Sequence, residues 1–167
     1  MTSNQKMPPD VIRARRAGAR LAAVQALYQM ELTSLSAKAV IREFMEDRLG
    51  ILDEDGRPVE DADPDLFKAI VSGVVENQSL IDEAIKARLA KDWRLERIDS
   101  TSRAILRCGA QELATRADLS NAVIIEEYVG IAHAFFEAEE PKFINGVLDR
   151  LGKDLRPNGI PVGFKDI

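Results

Sequence analysis

Four arginines, Arg13, Arg15, Arg16 and Arg20, are the side chains of this sequence whose type and spacing most directly suggest chemistry. No carboxylate lies between Asp10 and Glu31. Guanidinium groups gathered in this way make a local site for a polyanion, with nucleic-acid phosphate the first candidate. The chain has 23 Lys+Arg against 28 Asp+Glu, a formal charge of −5, so the attraction has to come from clustering and not from net charge. The bland alternative is a solvated helix start that keeps the protein soluble. Position argues against a purely passive role, because each cation near a helix N-terminus opposes the macrodipole at a cost of roughly 0.3 kcal/mol or more.

Other reactive groupings are scarce. The one histidine, His133, has no second imidazole or cysteine set to complete a zinc site, and it reads as an ordinary surface residue. No pair of Glu-x-x-His motifs is present for a carboxylate-bridged metal site. The single cysteine, Cys108, lies in an apolar helical run and reads as core; alone it forms no internal disulfide. Glu126 and Glu127, like Glu139 and Glu140, are neighbours in sequence and so point about 100° apart on a helix, the pattern of a solvated face. Phosphate-cradling glycine loops, nucleophile elbows and triad spacings are absent. A binding protein without catalytic activity, metal or cofactor is the expectation.

The arginines must be positioned by a helix spanning Arg13 to Glu31. Its late half turns apolar at Leu21, Val24, Leu27 and Tyr28, and Arg13, Arg16 and Arg20 fall on the same side as Val24 and Leu27. A stripe that becomes cationic one turn before it becomes apolar predicts a helix running past the edge of its own core, with the arginines projecting as a basic finger. At 167 residues the chain fits one domain or two small lobes sharing an interface. No run approaches the roughly 20 apolar residues of a membrane span, and the start MTSNQKMPPD lacks a signal peptide's apolar segment, so a cytoplasmic protein is expected.

The remainder reads as further helices. Residues 1–12, with Pro8 and Pro9, form a flexible lead-in. Ser36 caps a helix carrying Val40, Ile41, Phe44 and Leu49, with Gly50 to end it. The acidic stretch from Ile51 to Asp65 reads as an exposed loop. Pro64 leads into a dense apolar helix with Leu66, Phe67, Ile70, Val71, Val74 and Val75, and the period continues through Leu80, Ile81, Ile85 and Leu89 after a bend near Asn77 to Ser79. Lys91 to Arg97 suits a connection between lobes, with Trp93 packed into the junction. Asp99 or Ser100 caps a helix facing inward with Ile105, Leu106, Gly109, Ala110 and Leu113. Ser120 caps another with Ile125, Tyr128, Val129, Ala132 and Phe135 or Phe136 inward. Pro141 sits in the first turn of the last, whose core face is Ile144, Val147, Leu148 and Leu151, with Gly146 placed for close helix contact. The expected fold is all-α with about seven helices: a helical domain over 13–155, an N-terminal lobe of about 13–90, a C-terminal lobe of about 98–155, and a loose tail over 156–167.

Four segments together carry a family resemblance. ARLAAVQALYQMEL (Ala19 to Leu32), FKAIVSGVVEN (Phe67 to Asn77), RAILRCGAQEL (Arg103 to Leu113) and KFINGVLDRL (Lys142 to Leu151) resemble, in order and separation, the signature segments of the NusB family of bacterial transcription antitermination factors. The resemblance implies two helical bundles packed across one another. It implies two partners in a transcription elongation complex: the small-subunit ribosomal protein known as NusE, and single-stranded boxA RNA of ribosomal RNA leaders. A related domain is fused to some ribosomal RNA methyltransferases, but this chain ends before any cofactor-binding domain, so methyl transfer is not expected.

Carried over position by position, the family's arginine-rich N-terminus falls on Arg13, Arg15, Arg16 and Arg20. The tyrosine closing its first signature matches Tyr28, and the RNA-proximal start of its last helix matches Glu139, Lys142 and Phe143. Departures occur where the family's Ile-Asn-Glu-Ala is Ile125, Glu126, Glu127 and Tyr128, where a glycine is replaced by Phe136, and where an acidic partner-contact position is Ser102, which cannot form an ion pair. Physically, Lys142 offers phosphate charge and an exposed Phe143 ring would stack on an unpaired base, while core packing beside Ile144 and Val147 is the competing use of that ring. Tyr28 has the same two uses, core filling or partner contact. The competing function is a helical protein-interaction module whose arginines serve only solubility.

Overall fold

Pro9 opens the first helix at the position where a missing N–H costs nothing, and α1 (Pro9–Thr33) ends at Ser34, whose left-handed backbone (φ 59°) lets its N–H return to the Met30 carbonyl at 3.0 Å. The computed structural model describes residues 7–47, 49, 54–55 and 62–167. The expected helix stop at Gly50 lies outside the described residues, as do residues 1–6 and, of the acidic stretch from Ile51 to Asp65, residues 51–53 and 56–61. The described end of that stretch is not an exposed loop: Ala62 is buried, and Pro64 and Asp65 already belong to the third helix. Of the expected lead-in, residues 9–12 already belong to α1.

Side-chain caps set the starts of the next helices. The Ser36 hydroxyl accepts from the Ala39 N–H at 3.2 Å before α2 (Ala37–Asp47). Asp63 accepts from the N–H groups of Asp65 and Leu66 at 3.0 and 3.1 Å before α3 (Pro64–Lys86). Asp99 accepts from Thr101 at 2.8 Å to start α4 (Ser100–Thr115), and Ser120 accepts from Val123 at 3.2 Å to start α5 (Asn121–Phe135). The last helix, α6 (Glu139–Leu155), begins without a side-chain cap. Short 3-10 turns at Leu95–Arg97 and Phe164–Asp166 complete the described structure.

The fold is all-α, with six α-helices among the described residues where about seven were expected. The difference lies at Asn77 to Ser79, where α3 runs on without the expected bend. No proline or glycine interrupts it there, and the Asn77 amide donates to the Gly73 carbonyl at 3.0 Å, sharing the acceptor of its own turn without breaking the helix.

The central element is α4, buried almost all round from Ser102 to Leu113, with only Arg107 reaching partial exposure. Against it α1 runs antiparallel, since Arg20 meets Glu112 and Glu31 meets Arg103. Parallel to it runs α6, since Glu140 meets Ser102 and Leu148 meets Gly109. On another side α3 packs closely, because a Cβ on Gly73 would stand 2.3 Å from the Gln111 amide nitrogen. A Cβ on Gly109 would stand 2.9 Å from Leu148, so small residues set both approaches. At Gly146 a Cβ would meet only the end of Arg150 at 3.7 Å, so the close contact expected there is made by Gly109 and Gly152.

One apolar core runs through both expected lobes, from Val24 and Phe44 through Phe67 and Ile105 to Leu148 and Leu155. Leu21, Val75 and Leu80, expected inside, are exposed, and of Phe135 and Phe136 it is Phe136 that packs against the core. The segment 156–167, expected to be loose, is tied down: Arg156 is buried and donates to the carbonyls of Leu119 and Arg116, and the Val162 N–H donates to Leu155 at 2.8 Å. No helix among the described residues is long and apolar enough to cross a membrane.

Candidate nucleic-acid interface

The arginine cluster divides into an anchor and a surface. Arg20 is only 2% exposed, which corrects the expectation that it projects into solvent with the others. Its Nε and Nη2 donate to the two carboxylate oxygens of Glu112 at 2.7 and 3.0 Å, and its Nη1 lies 3.7 Å from Glu127. The Tyr128 hydroxyl donates to the same carboxylate at 2.5 Å, and Arg116 reaches it at 3.4 Å. Burial alone would lower the guanidinium's proton affinity, but the Glu112 bonds and charge outweigh it and raise the Arg20 pKa. The Tyr128 hydroxyl is pushed well above its ordinary range, first by burial and then by the Glu112 charge. Arg20 lies one turn before Val24 on the inward stripe, so the helix geometry that suggested a finger carries this residue into the core.

What the node positions is the first part of α1. Arg13 is exposed, and Arg15 and Arg16 are half-exposed. Arg15 donates to the Met7 thioether at 3.3 Å, while its backbone carbonyl accepts from the Asp63 N–H at 2.9 Å and so ties α1 to the start of α3. Arg13 and Arg16 form one wall of a groove of about 670 Å³, closed by Leu119, Val123, Glu126 and Glu127 of the α5 end. This part of α1 is thus flanked by α5 and is not a free finger. Asp118 stands close by: Arg116, donating to it from Nε and Nη2 at 2.9 Å each, holds its carboxyl down at about 2, and the Arg16 charge adds to the effect.

The other expected contacts are at the far end of the molecule. Arg20 stands level with Glu112 and Glu140 level with Ser102, so at 1.5 Å per residue along α4 about 15 Å separates the two levels. Arg13 lies roughly 10 Å farther still along α1. Glu139 and Lys142 are exposed in the first turn of α6, and Phe143 is half-buried with its ring stacked on Trp93, centroids 5.0 Å apart and planes at 23°. The ring therefore packs against the core on the inside and against Trp93 on the outside. Trp93, expected inside the junction, is 53% exposed.

Tyr28 is 39% exposed and borders a groove of about 510 Å³ with Val24, Gln25, Gln29, Leu32, Thr101 and Phe135. Ser102, expected at a partner surface, is fully buried, its hydroxyl donating to Glu140 at 2.5 Å. It presents no surface of its own to a partner. Cys108 is buried, which pushes its thiol up, and His133 is exposed. No group of three or more His, Cys, Asp or Glu among the described residues is arranged to hold a metal ion.

Comparison with known proteins adds an independent line. Residues 17–153 match the model of the NusB family. The chain is 64% identical over 152 residues to the transcription antitermination protein NusB of Hyphomonas neptunium, covering 91% of this chain and 98% of that protein. Among solved structures it is similar to T. maritima NusB, with TM-score 0.68 and 30% identity over 90% of this chain and 94% of that one. It is also similar to a chain from a complex of antitermination factors NusB and NusE with dsRNA, with TM-score 0.69 and 25% identity over 85% of this chain and 98% of that one.

Proposed function

This chain belongs to the NusB family of transcription antitermination proteins, and on that premise we propose that it binds boxA-type single-stranded RNA of ribosomal RNA leaders together with a NusE-like ribosomal protein. It does so in the cytoplasm, without catalysis, as an adaptor in a transcription elongation complex. The observation that carries this reading is the exposed Arg13 with Arg15 and Arg16, held at the end of α1 by the buried Arg20–Glu112 pair. A costly buried anchor beneath a cationic helix end supports a surface built for an anion better than one left over for solubility.

RNA laid from this end toward α6 would meet guanidinium charge first and Lys142 with its aromatic neighbours last. Glu139 suits a base amino group and not a phosphate. The separation of the two ends calls for a strand of several nucleotides, and stacking on a ring needs unpaired bases. The groove beside Tyr28 supports docking of a protein segment there, with Phe135 and Leu32 as further apolar contacts. RNA and NusE both accompany the similar chain in the solved complex, where the RNA is double-stranded.

Filter binding with boxA-type single strand, a scrambled strand of the same length and composition, and a boxA duplex tests the reading. Tightest retention of the boxA single strand is expected. Equal retention of scrambled RNA would reduce the site to a general basic surface, tighter binding of duplex would replace the single-strand reading, and no retention of any would leave a protein-interaction module.

A further inference from the structure

We propose that Trp93 is a base-stacking residue of this protein, with Phe143 as the ring that holds the indole in place; the proposal rests on the RNA reading above. The indole is 53% exposed, yet it is not on a loose segment. Its backbone N–H donates to the Ala90 carbonyl at 2.9 Å, Leu95 and Ile98 just beyond it are buried, and the Arg103 guanidinium donates to the carbonyls of Leu95, Glu96 and Ile98. A large aromatic surface is thus presented to water from a pinned stretch of backbone. Phe143 covers one face of the indole at 5.0 Å and 23°, so the exposed area is largely the opposite face and the edge. Phe143 itself is half-buried with Trp93 over its ring, which leaves the indole as the more open surface for a base.

A planar, polarizable, one-sided face suits an unpaired nucleobase, since every base has a π-face and stacking needs no further complementarity. Exposed Lys91, Arg94 and Lys142 accompany the pair, but exposed Asp92 and Glu139 offset them. Charge alone would therefore hold RNA poorly here, and the contact should be stacking with little salt dependence. That separates it from the arginine end of α1, where affinity should fall with salt.

Trp93 is the only tryptophan, so its fluorescence reports the contact directly. Titration with a boxA-type single strand of roughly 12 nucleotides should quench the emission, whereas inorganic polyphosphate, which has no bases, should not. Trp93→Ala should weaken RNA binding roughly 5- to 150-fold while leaving the salt slope unchanged, and Trp93→Phe should keep most of the affinity. Unquenched emission while filter binding registers bound RNA would overturn the stacking role and leave the RNA reading standing. Failure of the wild-type protein to bind RNA in the filter assay would remove both. Should Trp93→Ala fail to fold, quenching in the wild-type protein decides the matter, because a merely structural Trp93–Phe143 clasp would not distinguish RNA from polyphosphate.

Discussion

Glu112→Ala is expected to cost about 3 to 5 kcal/mol of folding stability, the loss typical when one member of a buried ion pair is removed and the other charge stays behind. At about 2 to 4 °C per kcal/mol for a chain of this size, the midpoint should fall by roughly 6 to 20 °C. Arg20 would keep a guanidinium in a site 2% exposed, with Glu127 at 3.7 Å as its remaining carboxylate, and the Tyr128 hydroxyl would lose its acceptor. Replacing both partners by apolar residues, Arg20→Met with Glu112→Leu, should recover part of the loss because no buried charge remains. Recovery should be incomplete, since the unpaired Tyr128 hydroxyl still costs about 1 to 3 kcal/mol. Thermal melts of the three variants check this, and a Glu112→Ala midpoint within a degree of wild type would show that the node does not hold α1 to α4.

The second large effect is on RNA, without a matching effect on stability. Joint replacement of Arg13, Arg15 and Arg16 by glutamine removes three cations from the exposed and half-exposed end of α1 and leaves the buried node intact. Three phosphate contacts on a single strand give a slope of log affinity against log salt of about −2. Extrapolated between about 0.1 and 1 M salt, that slope corresponds to a loss on the order of 100-fold at the lower concentration. Melting should hardly move, and binding curves at several salt concentrations should be nearly flat for the variant. A variant that binds like wild type would mean that these arginines do not touch phosphate.

Much of the fold is legible because local signals agree with the packing they lead into. Asp99 and Ser120 start their helices as hydrogen-bond acceptors, and Ile144, Val147, Leu148 and Leu151 recur at helical spacing and are all fully buried. Arg20 was not legible as an anchor, because its partner Glu112 lies 92 positions away and no local pattern pairs them. A charge on an apolar stripe reads as the edge of the core, but here it marks a buried ion pair. Ser102 misleads for a different reason: its place at a partner surface came from the resemblance alone, and the arrival of Glu140 from α6 encloses it. Trp93 failed in the other direction, since a large aromatic in a connection is usually inside, and its stacking partner Phe143 is 50 positions away. The separation of the arginines from Lys142 follows from α6 running parallel to α4 while α1 runs antiparallel, a matter of topology that helical periodicity does not encode.

The adaptor role is tested most directly by titrating labelled boxA-type RNA with this protein, with and without a saturating NusE-like partner. We expect the partner to tighten RNA binding roughly 5- to 150-fold, about 1 to 3 kcal/mol of coupling, with RNA tightening the protein pair by the same factor. Superimposable titration curves would show that the two ligands bind independently and would contradict the adaptor mechanism, even if each binds on its own.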